Sequence, residues 1–266
     1  MSSIVRPTSA QMTRRLLVLA AVIFAIVIAY AQMAFDWGQT PAEFAADSDA
    51  TLRVAGYAFS IWGVIYLGLL VYAVRQALPQ TGESRLIQRL GWPSLLAFLG
   101  IGWWIVASAF DWEWGTVALI FGSLLVLLVP MLAEAGTIRA LSRMDRDRWT
   151  VVWPLGLLAG WLTVASPVNL LTVLTGNGSL PEALSPDVSA LVAVTIVAVA
   201  ALLVTFRLRT LAYPLPIAWG LLGVFVAEQE RSRELVAYGA LSAAIAVLVG
   251  AVILTFRLRR GIERPI

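Results

Sequence analysis

Eight long apolar runs alternate along the chain with short segments in which charged and turn-forming residues collect. They cover residues 16–35, 54–77, 91–110, 115–133, 151–174, 188–206, 211–227 and 235–256. Runs of about 20 apolar residues match the roughly 30 Å hydrocarbon core of a bilayer. Backbone groups in lipid must bond internally, and the alternating ten-residue pattern of a barrel is missing, so the runs are predicted to be helices. The expected fold class is all-α, a polytopic helical membrane bundle of about eight transmembrane helices.

The arginines orient these spans. Arg6, Arg14 and Arg15 precede the first span; Arg75, Arg85 and Arg89 follow the second. Arg139, Arg143, Arg146 and Arg148 follow the fourth, Arg207 and Arg209 the sixth, and Arg257, Arg259, Arg260 and Arg264 the last. The intervening loops carry Asp36, Glu43, Asp47, Asp49, Asp111, Glu113, Glu182, Asp187, Glu228, Glu230 and Glu234, with only Arg53, Arg231 and Arg233 among them. Arginine bias marks cytoplasmic loops, so both termini are expected to be cytoplasmic. Thr13-Arg14-Arg15 before an apolar run and Ala29-Tyr30-Ala31 after it have the outline of a signal peptide. The run is longer than a usual signal core, and the alternation uses it as a full span, so it is expected to be retained.

Composition narrows the function. The chain is 60% hydrophobic and 13% charged, with no cysteine and no histidine, and all 19 basic residues are arginine. Disulfides, thiolate zinc sites, Ser-His-Asp triads and lysine Schiff bases are thereby excluded. The formal charge of +3 is expected to face anionic lipid, and no nucleic-acid partner is expected, because an aromatic-lined basic groove is lacking. No titratable group lies well inside a span, where pumps and ion-coupled transporters need one. Arg53 and Glu134 fall at helix ends and read as interfacial anchors. Asp145 and Asp147 alternate with Arg143, Arg146 and Arg148 and read as a solvated, self-paired loop rather than a magnesium site. Neither a cofactor nor enzymatic activity is expected. Arginine without lysine, together with abundant alanine, points to GC-rich coding and a bacterial inner membrane.

Tryptophan is what the interior offers. Trp37, Trp92, Trp112, Trp114, Trp149 and Trp153 fall at span ends, as an aromatic belt requires; Trp62, Trp103, Trp104, Trp161 and Trp219 lie inside spans. Interior indoles serve either tight packing or a flat apolar ligand. On the second span Ala55, Ala58, Phe59, Trp62 and Tyr66 share one stripe, and Gly56, Ser60, Val64 and Gly68 another. The small stripe is expected to pack closely on a neighbour, with Gly56 and Ser60 at the contact. On the fifth span Pro154, Leu158, Trp161, Ala165 and Asn169 share a stripe. Asn169 either repairs the Pro167 kink, bonds a neighbouring helix or anchors a ligand. Opposed helix directions place Tyr57, Ser60, Trp103, Trp104, Ser108, Ser166 and Asn169 in the outer half. Thr40-Pro41-Ala42-Glu43 has the form of a capping box with proline at the first helical position, so a short helix is expected to cover the opening as a lid.

Tyr57-Ala58-Phe59-Ser60-Ile61-Trp62-Gly63-Val64-Ile65-Tyr66 resembles the second-helix signature of the TspO/MBR family, the tryptophan-rich sensory proteins, in its longer bacterial branch. Pro154, Gly160-Trp161, Thr163-Val164-Ala165 and Asn169 follow the family's spacing on the fifth helix, and Ala212-Tyr213 through Trp219-Gly220-Leu221-Leu222-Gly223 resembles the branch's extension. Three positions depart. The proline-rich approach to the second helix is Leu52-Arg53-Val54-Ala55, the third-helix asparagine is Ile101, and the fifth-helix tyrosine is Leu158. The resemblance implies a TspO-like five-helix core over residues 1–175 and a three-helix extension over 176–266. It further implies binding of a flat hydrophobic, tetrapyrrole- or sterol-like ligand by a sensor or carrier.

The ligand-binding residues expected on these grounds are Trp62, Tyr66, Trp104, Trp161 and Asn169. The alternative is a membrane scaffold or oligomeric accessory protein without a small-molecule ligand. A homo-oligomer would use the Ser242, Ala246, Gly250 ridge of the last span.

Overall fold

The computed structural model describes residues 7–47, 52–78, 81–181 and 183–257. Of the charges that orient the spans, Arg6, Asp49, Glu182, Arg259, Arg260 and Arg264 lie outside the described residues, as do the side chains of Asp47 and Arg257. Among the described residues ten α-helices follow in order: α1 (Ser9–Phe35), α2 (Pro41–Asp47), α3 (Ile61–Ala77), α4 (Arg85–Ala109), α5 (Glu113–Ala133), α6 (Ala135–Ala140), α7 (Trp153–Gly176), α8 (Pro186–Leu208), α9 (Pro214–Glu230) and α10 (Glu234–Val252). A 3₁₀ turn at Gly56–Ser60 leads into α3, and π-helical turns at Arg148–Val152 and Ile253–Arg257 precede α7 and follow α10. No strand occurs among the described residues.

The eight predicted runs each form a long helix. Seven are long and apolar enough to cross a membrane; the other is α9, at 17 residues, which rises about 26 Å. Outward faces are apolar, with Leu67, Val129, Ile196 and Leu203 all more than half exposed. Such faces suit a hydrocarbon solvent. α1 packs on α3 and α4, α4 on α5, and α5 on α7; α7 then carries α9, against which α10 lies with α8 beside it.

Glycines set the closest approaches. A Cβ on Gly160 of α7 would stand 2.0 Å from the Tyr213 carbonyl oxygen, and one on Gly223 of α9 would stand 2.8 Å from the Ala58 Cβ. Small residues of this kind let helices approach in lipid, where hydrophobic attraction between them is missing. The small stripe of α3 is used differently from expectation. Gly56 faces open space, as does Gly63 beside the stripe, whereas Gly68 meets Pro154 of α7. Gly250 at the end of the α10 ridge abuts Leu202 of α8 within the same chain.

Several charges at the helix ends and in the 141–148 loop are structural. Arg15 is fully buried and donates to the carbonyls of Gln76, Thr81 and Gly82 at the end of α3. With Arg14 it clasps the Glu83 carboxylate at 2.5 Å from each guanidinium. A cation over the last turn of a helix also complements its dipole. In the 141–148 loop, Asp147 pairs with Arg75 at 2.6 Å, and Arg148 donates to the Leu141 and Ser142 carbonyls. Asp147 and Arg148 are therefore held against the fold, while Arg143 and Arg146 stay exposed and the Asp147 N–H donates to Asp145 within the loop. Glu134 joins α4 to the end of α5 through Arg85 at 2.7 Å and Arg89 at 3.7 Å.

The glycine contacts generate a paired prediction. Gly160→Ala drives a methyl group into a backbone carbonyl and should destabilise by about 1–3 kcal/mol, the usual cost of overpacking. Gly63→Ala adds a methyl to open helix surface and should stabilise by up to about 1 kcal/mol. Thermal unfolding of the two purified variants in one detergent would show opposite shifts; equal shifts would refute this packing.

Candidate functional site

The site is assembled at one end of the bundle, where α2 crosses over the helices. Thr40 and Glu43 form the expected capping box: the Thr40 N–H donates to Glu43 Oε2 at 2.7 Å, and the Glu43 N–H donates to Thr40 Oγ1 at 3.2 Å. The cap starts α2, and Phe44 one residue later is buried between α2 and the bundle, edge-on to Trp104 at 6.3 Å between ring centroids. Pro41, Phe44 and Ala45 roof a cavity of about 40 Å³. Its walls include Trp62, Trp104, Trp161 and Asn169, four of the five residues predicted from sequence, together with Phe59 and Ile101.

The fifth, Tyr66, stacks on Trp62 at 5.1 Å and lines a separate groove of about 440 Å³. That groove runs between Tyr30 and Met33 of α1, Pro41 of α2, and Trp62, Gly63 and Tyr66 of α3. Phe59, Trp62 and Pro41 border both spaces, so the two aromatic rings stand between the inner cavity and the outer groove. Trp161 meets both rings edge to face, at 6.0 Å from Phe59 and 6.3 Å from Trp62. The indole N–H of Trp62 is buried with no acceptor in reach.

Asn169 is committed to its neighbours. Its Oδ1 accepts from the Trp104 indole at 2.9 Å, and its Nδ2 donates to Thr116 Oγ1 at 2.8 Å. Thr116 in turn donates to the Glu113 carbonyl at 2.6 Å. The chain ties α4, α5 and α7 together beneath the lid, so of the two structural roles expected, Asn169 bonds neighbouring helices and leaves the Pro167 kink alone. The outer-half residues do not all converge. Trp103 is 52% exposed and packs on Phe24, and Tyr57 faces outward against Trp219. Ile101 and Leu158, where the family resemblance led to polar residues, are both buried, and Ile101 gives the cavity an apolar wall.

Sequence reasoning missed the part played by α9. The segment before α3 has few helical hydrogen bonds, and α9 supplies partners for it. The Ala55 N–H donates to the Gly223 carbonyl at 3.0 Å, and the Trp219 indole donates to the Ala58 carbonyl at 2.9 Å. The Arg53 N–H donates to Glu228 Oε1 at 2.7 Å. Glu228 is fully buried, and Arg231 and Arg233 approach the same carboxylate at 3.1 and 4.0 Å. Two of the three arginines that break the charge alternation thus pair with one acid, and the third, Arg53, gives it a backbone N–H while its guanidinium donates to the Ala46 carbonyl at 2.8 Å. Gly220 of α9 completes the cavity wall against Val164 and Trp161.

The lid carries a pH prediction. Hydrogen bonds from the Thr40 backbone, then from its side chain, hold the Glu43 carboxyl below its ordinary value of 4.5. A depressed folded value means that the contribution is complete above the ordinary value and is lost as pH falls through the lower one. Amide exchange over residues 41–47, corrected for its intrinsic pH dependence, should therefore stay slow at neutral pH and accelerate only below the carboxylate range. Glu43→Ala should exchange fast at every pH. A wild-type lid equally protected at both extremes would show that the box does not hold it.

No curated protein and no solved structure matches the chain. A family model described as TSPO-like protein matches residues 15–253, all but the two ends. The match runs through the lid, the Trp62 helix, the Asn169 helix and α9 alike, and the chain belongs to the TSPO-like family.

Proposed function

We propose that this integral membrane protein of the TSPO-like family binds a flat hydrophobic ligand, tetrapyrrole- or sterol-like, beneath α2 and acts as a sensor or carrier. The observation that carries the reading is the shared aromatic partition, Phe59 and Trp62, between the outer groove and the inner cavity. Ligand pockets for molecules of this size occupy about 300–1,000 Å³. The groove, at about 440 Å³, falls in that range, and the cavity, at about 40 Å³, does not. A ligand lies first against the Trp62–Tyr66 stack, and a turn of the Trp62 ring then joins the two spaces. The Trp62 N–H, with no acceptor of its own, supplies one polar contact. Trp104, Trp161 and Asn169 form the inner wall that such a ligand reaches.

Titrating a porphyrin into detergent-purified protein, followed by quenching of the remaining tryptophans, tests this. Trp62→Ala should weaken binding about ten- to a hundredfold, because loss of stacked ring area costs roughly 1–3 kcal/mol. Asn169→Ala should cost less, around 1 kcal/mol, since its amide already has partners. Variants that stay monodisperse yet bind as tightly as wild type would move the ligand elsewhere. Failure of wild type to bind any flat apolar probe would favour the scaffold reading, in which the edge-to-face rings serve packing.

The same reading has the protein in a bacterial cytoplasmic membrane, from its arginine without lysine and its abundant alanine, with both termini inside, from the arginine alternation. A reporter active only outside the membrane should be silent when fused to the C-terminus and active when inserted in the 176–186 loop. The reverse pattern would invert the topology.

A further inference from the structure

The lid helix α2 has seven residues, and isolated helices shorter than about 12–15 residues are marginal in water. Phe44 anchors its middle, so its ends depend on caps. The Thr40–Glu43 box serves the first turn. The carbonyls of a last turn have no partner within the helix, and here that of Ala46 accepts from the Arg53 guanidinium at 2.8 Å. A cation in that place also complements the helix dipole.

Arg53 is itself held from α9. Its N–H donates to Glu228 Oε1 at 2.7 Å, and two residues on, the Ala55 N–H donates to the Gly223 carbonyl at 3.0 Å. Val54 between them lines the cavity beneath the lid and sits so close to α9 that a Cβ on Gly223 would stand 2.9 Å from it. Glu228 is fully buried and is fixed from the α9–α10 turn: Arg231 pairs with it at 3.1 Å, and the Arg233 N–H donates to the Glu228 carbonyl at 2.9 Å. Arg233 also reaches Asp187 at the start of α8, at 3.8 Å. A buried carboxylate is costly to keep, and Glu228 lines neither the cavity nor the groove, so a ligand does not account for its charge. An apolar residue in its place would leave the Arg53 N–H without an acceptor. We propose that Glu228 and Arg53 form a latch through which the α9–α10 turn governs opening of the lid. Arg53 holds α9 with its backbone and α2 with its side chain, so a displacement at the end of α9 withdraws the guanidinium from the last turn of the lid. As regulation of the candidate site the latch rests on the ligand-binding reading; as a contact it does not.

Amide exchange of residues 41–47 in the full chain, purified in detergent without ligand at neutral pH, tests the latch. Arg53→Met should speed it about fivefold, since it removes a hydrogen bond from a charged group at a half-buried side chain. Glu228→Gln, 175 residues away in sequence, should speed it about threefold. With the guanidinium gone Glu228 has nothing left to act through, so the double variant should exchange no faster than Arg53→Met alone. Arg231→Gln loosens the same acid and replaces Glu228→Gln in the cycle if that variant does not stay monodisperse. Exchange at the wild-type rate in both Glu228→Gln and Arg231→Gln, or effects that multiply in the double variant, would overturn the latch. A bound porphyrin should leave Glu228→Gln about threefold faster than wild type. Release at the wild-type rate while lid exchange is accelerated would overturn the regulatory role. A wild type that binds no flat apolar probe would overturn the ligand reading and the regulatory role with it, while exchange still decides the contact.

Discussion

A chain that crosses a bilayer must find a partner within itself for every backbone N–H and C=O that leaves water. The segment from Leu52 to Ser60 is where this protein departs furthest from regular helix beside its candidate site, and α9 is what makes the departure tolerable. The Gly223 carbonyl, the Trp219 indole and the Glu228 carboxylate each take up one backbone group of that segment. Without these partners the first turn of α3 would have to wind as α-helix, and Phe59 and Trp62 would take other directions. The aromatic partition therefore depends on α9, a helix far from it in sequence.

Glu228 shows why charge belongs there. A buried carboxylate is costly unless paired and hydrogen-bonded, and here it receives a backbone N–H and two arginines. The Glu83 cluster applies the same chemistry at the other end of α3, with Arg14 and Arg15 converging on one acid. Both ends of the helix that carries Trp62 are thus fastened by ionic groups, and between them the Tyr72 hydroxyl shares a hydrogen bond with Ser94 of α4 at 2.8 Å.

Much of this was legible in the sequence, and the limits have physical causes. Helices were legible because apolar runs of membrane length have one regular solution. The lid was legible because Thr40, Pro41 and Glu43 form a local code that needs no tertiary partner. The convergence of Trp62, Trp104, Trp161 and Asn169 followed from helix periodicity and family resemblance together. What escaped was contact between elements far apart in sequence: Arg53 and Glu228 are 175 residues apart, and nothing local distinguishes a loop arginine that will be buried from one that will not. Periodicity failed for Gly56, where a helical wheel was applied to a stretch that winds as a 3₁₀ turn. It also says little about which of the adjacent Trp103 and Trp104 turns inward, because the apolar run around them has few polar positions to mark its outer face.

The two sides of the cavity differ in how they are held, and this decides where it can open. On the inner side, the Trp104–Asn169–Thr116 chain of hydrogen bonds locks α4, α5 and α7 in register, and breaking it would strand buried polar groups. On the α3 side, Phe59 and Trp62 meet Trp161 only edge to face, contacts worth about 0.5–1.5 kcal/mol beyond their area. The Trp62 N–H has no bond to lose. Rotation of that indole is therefore the least costly way to enlarge a cavity of about 40 Å³, and it enlarges it toward the groove. The rigid wall carries the polar groups and the movable wall carries the apolar ring, so under the proposed function a flat apolar molecule would enter past the ring and meet a surface already fixed in place.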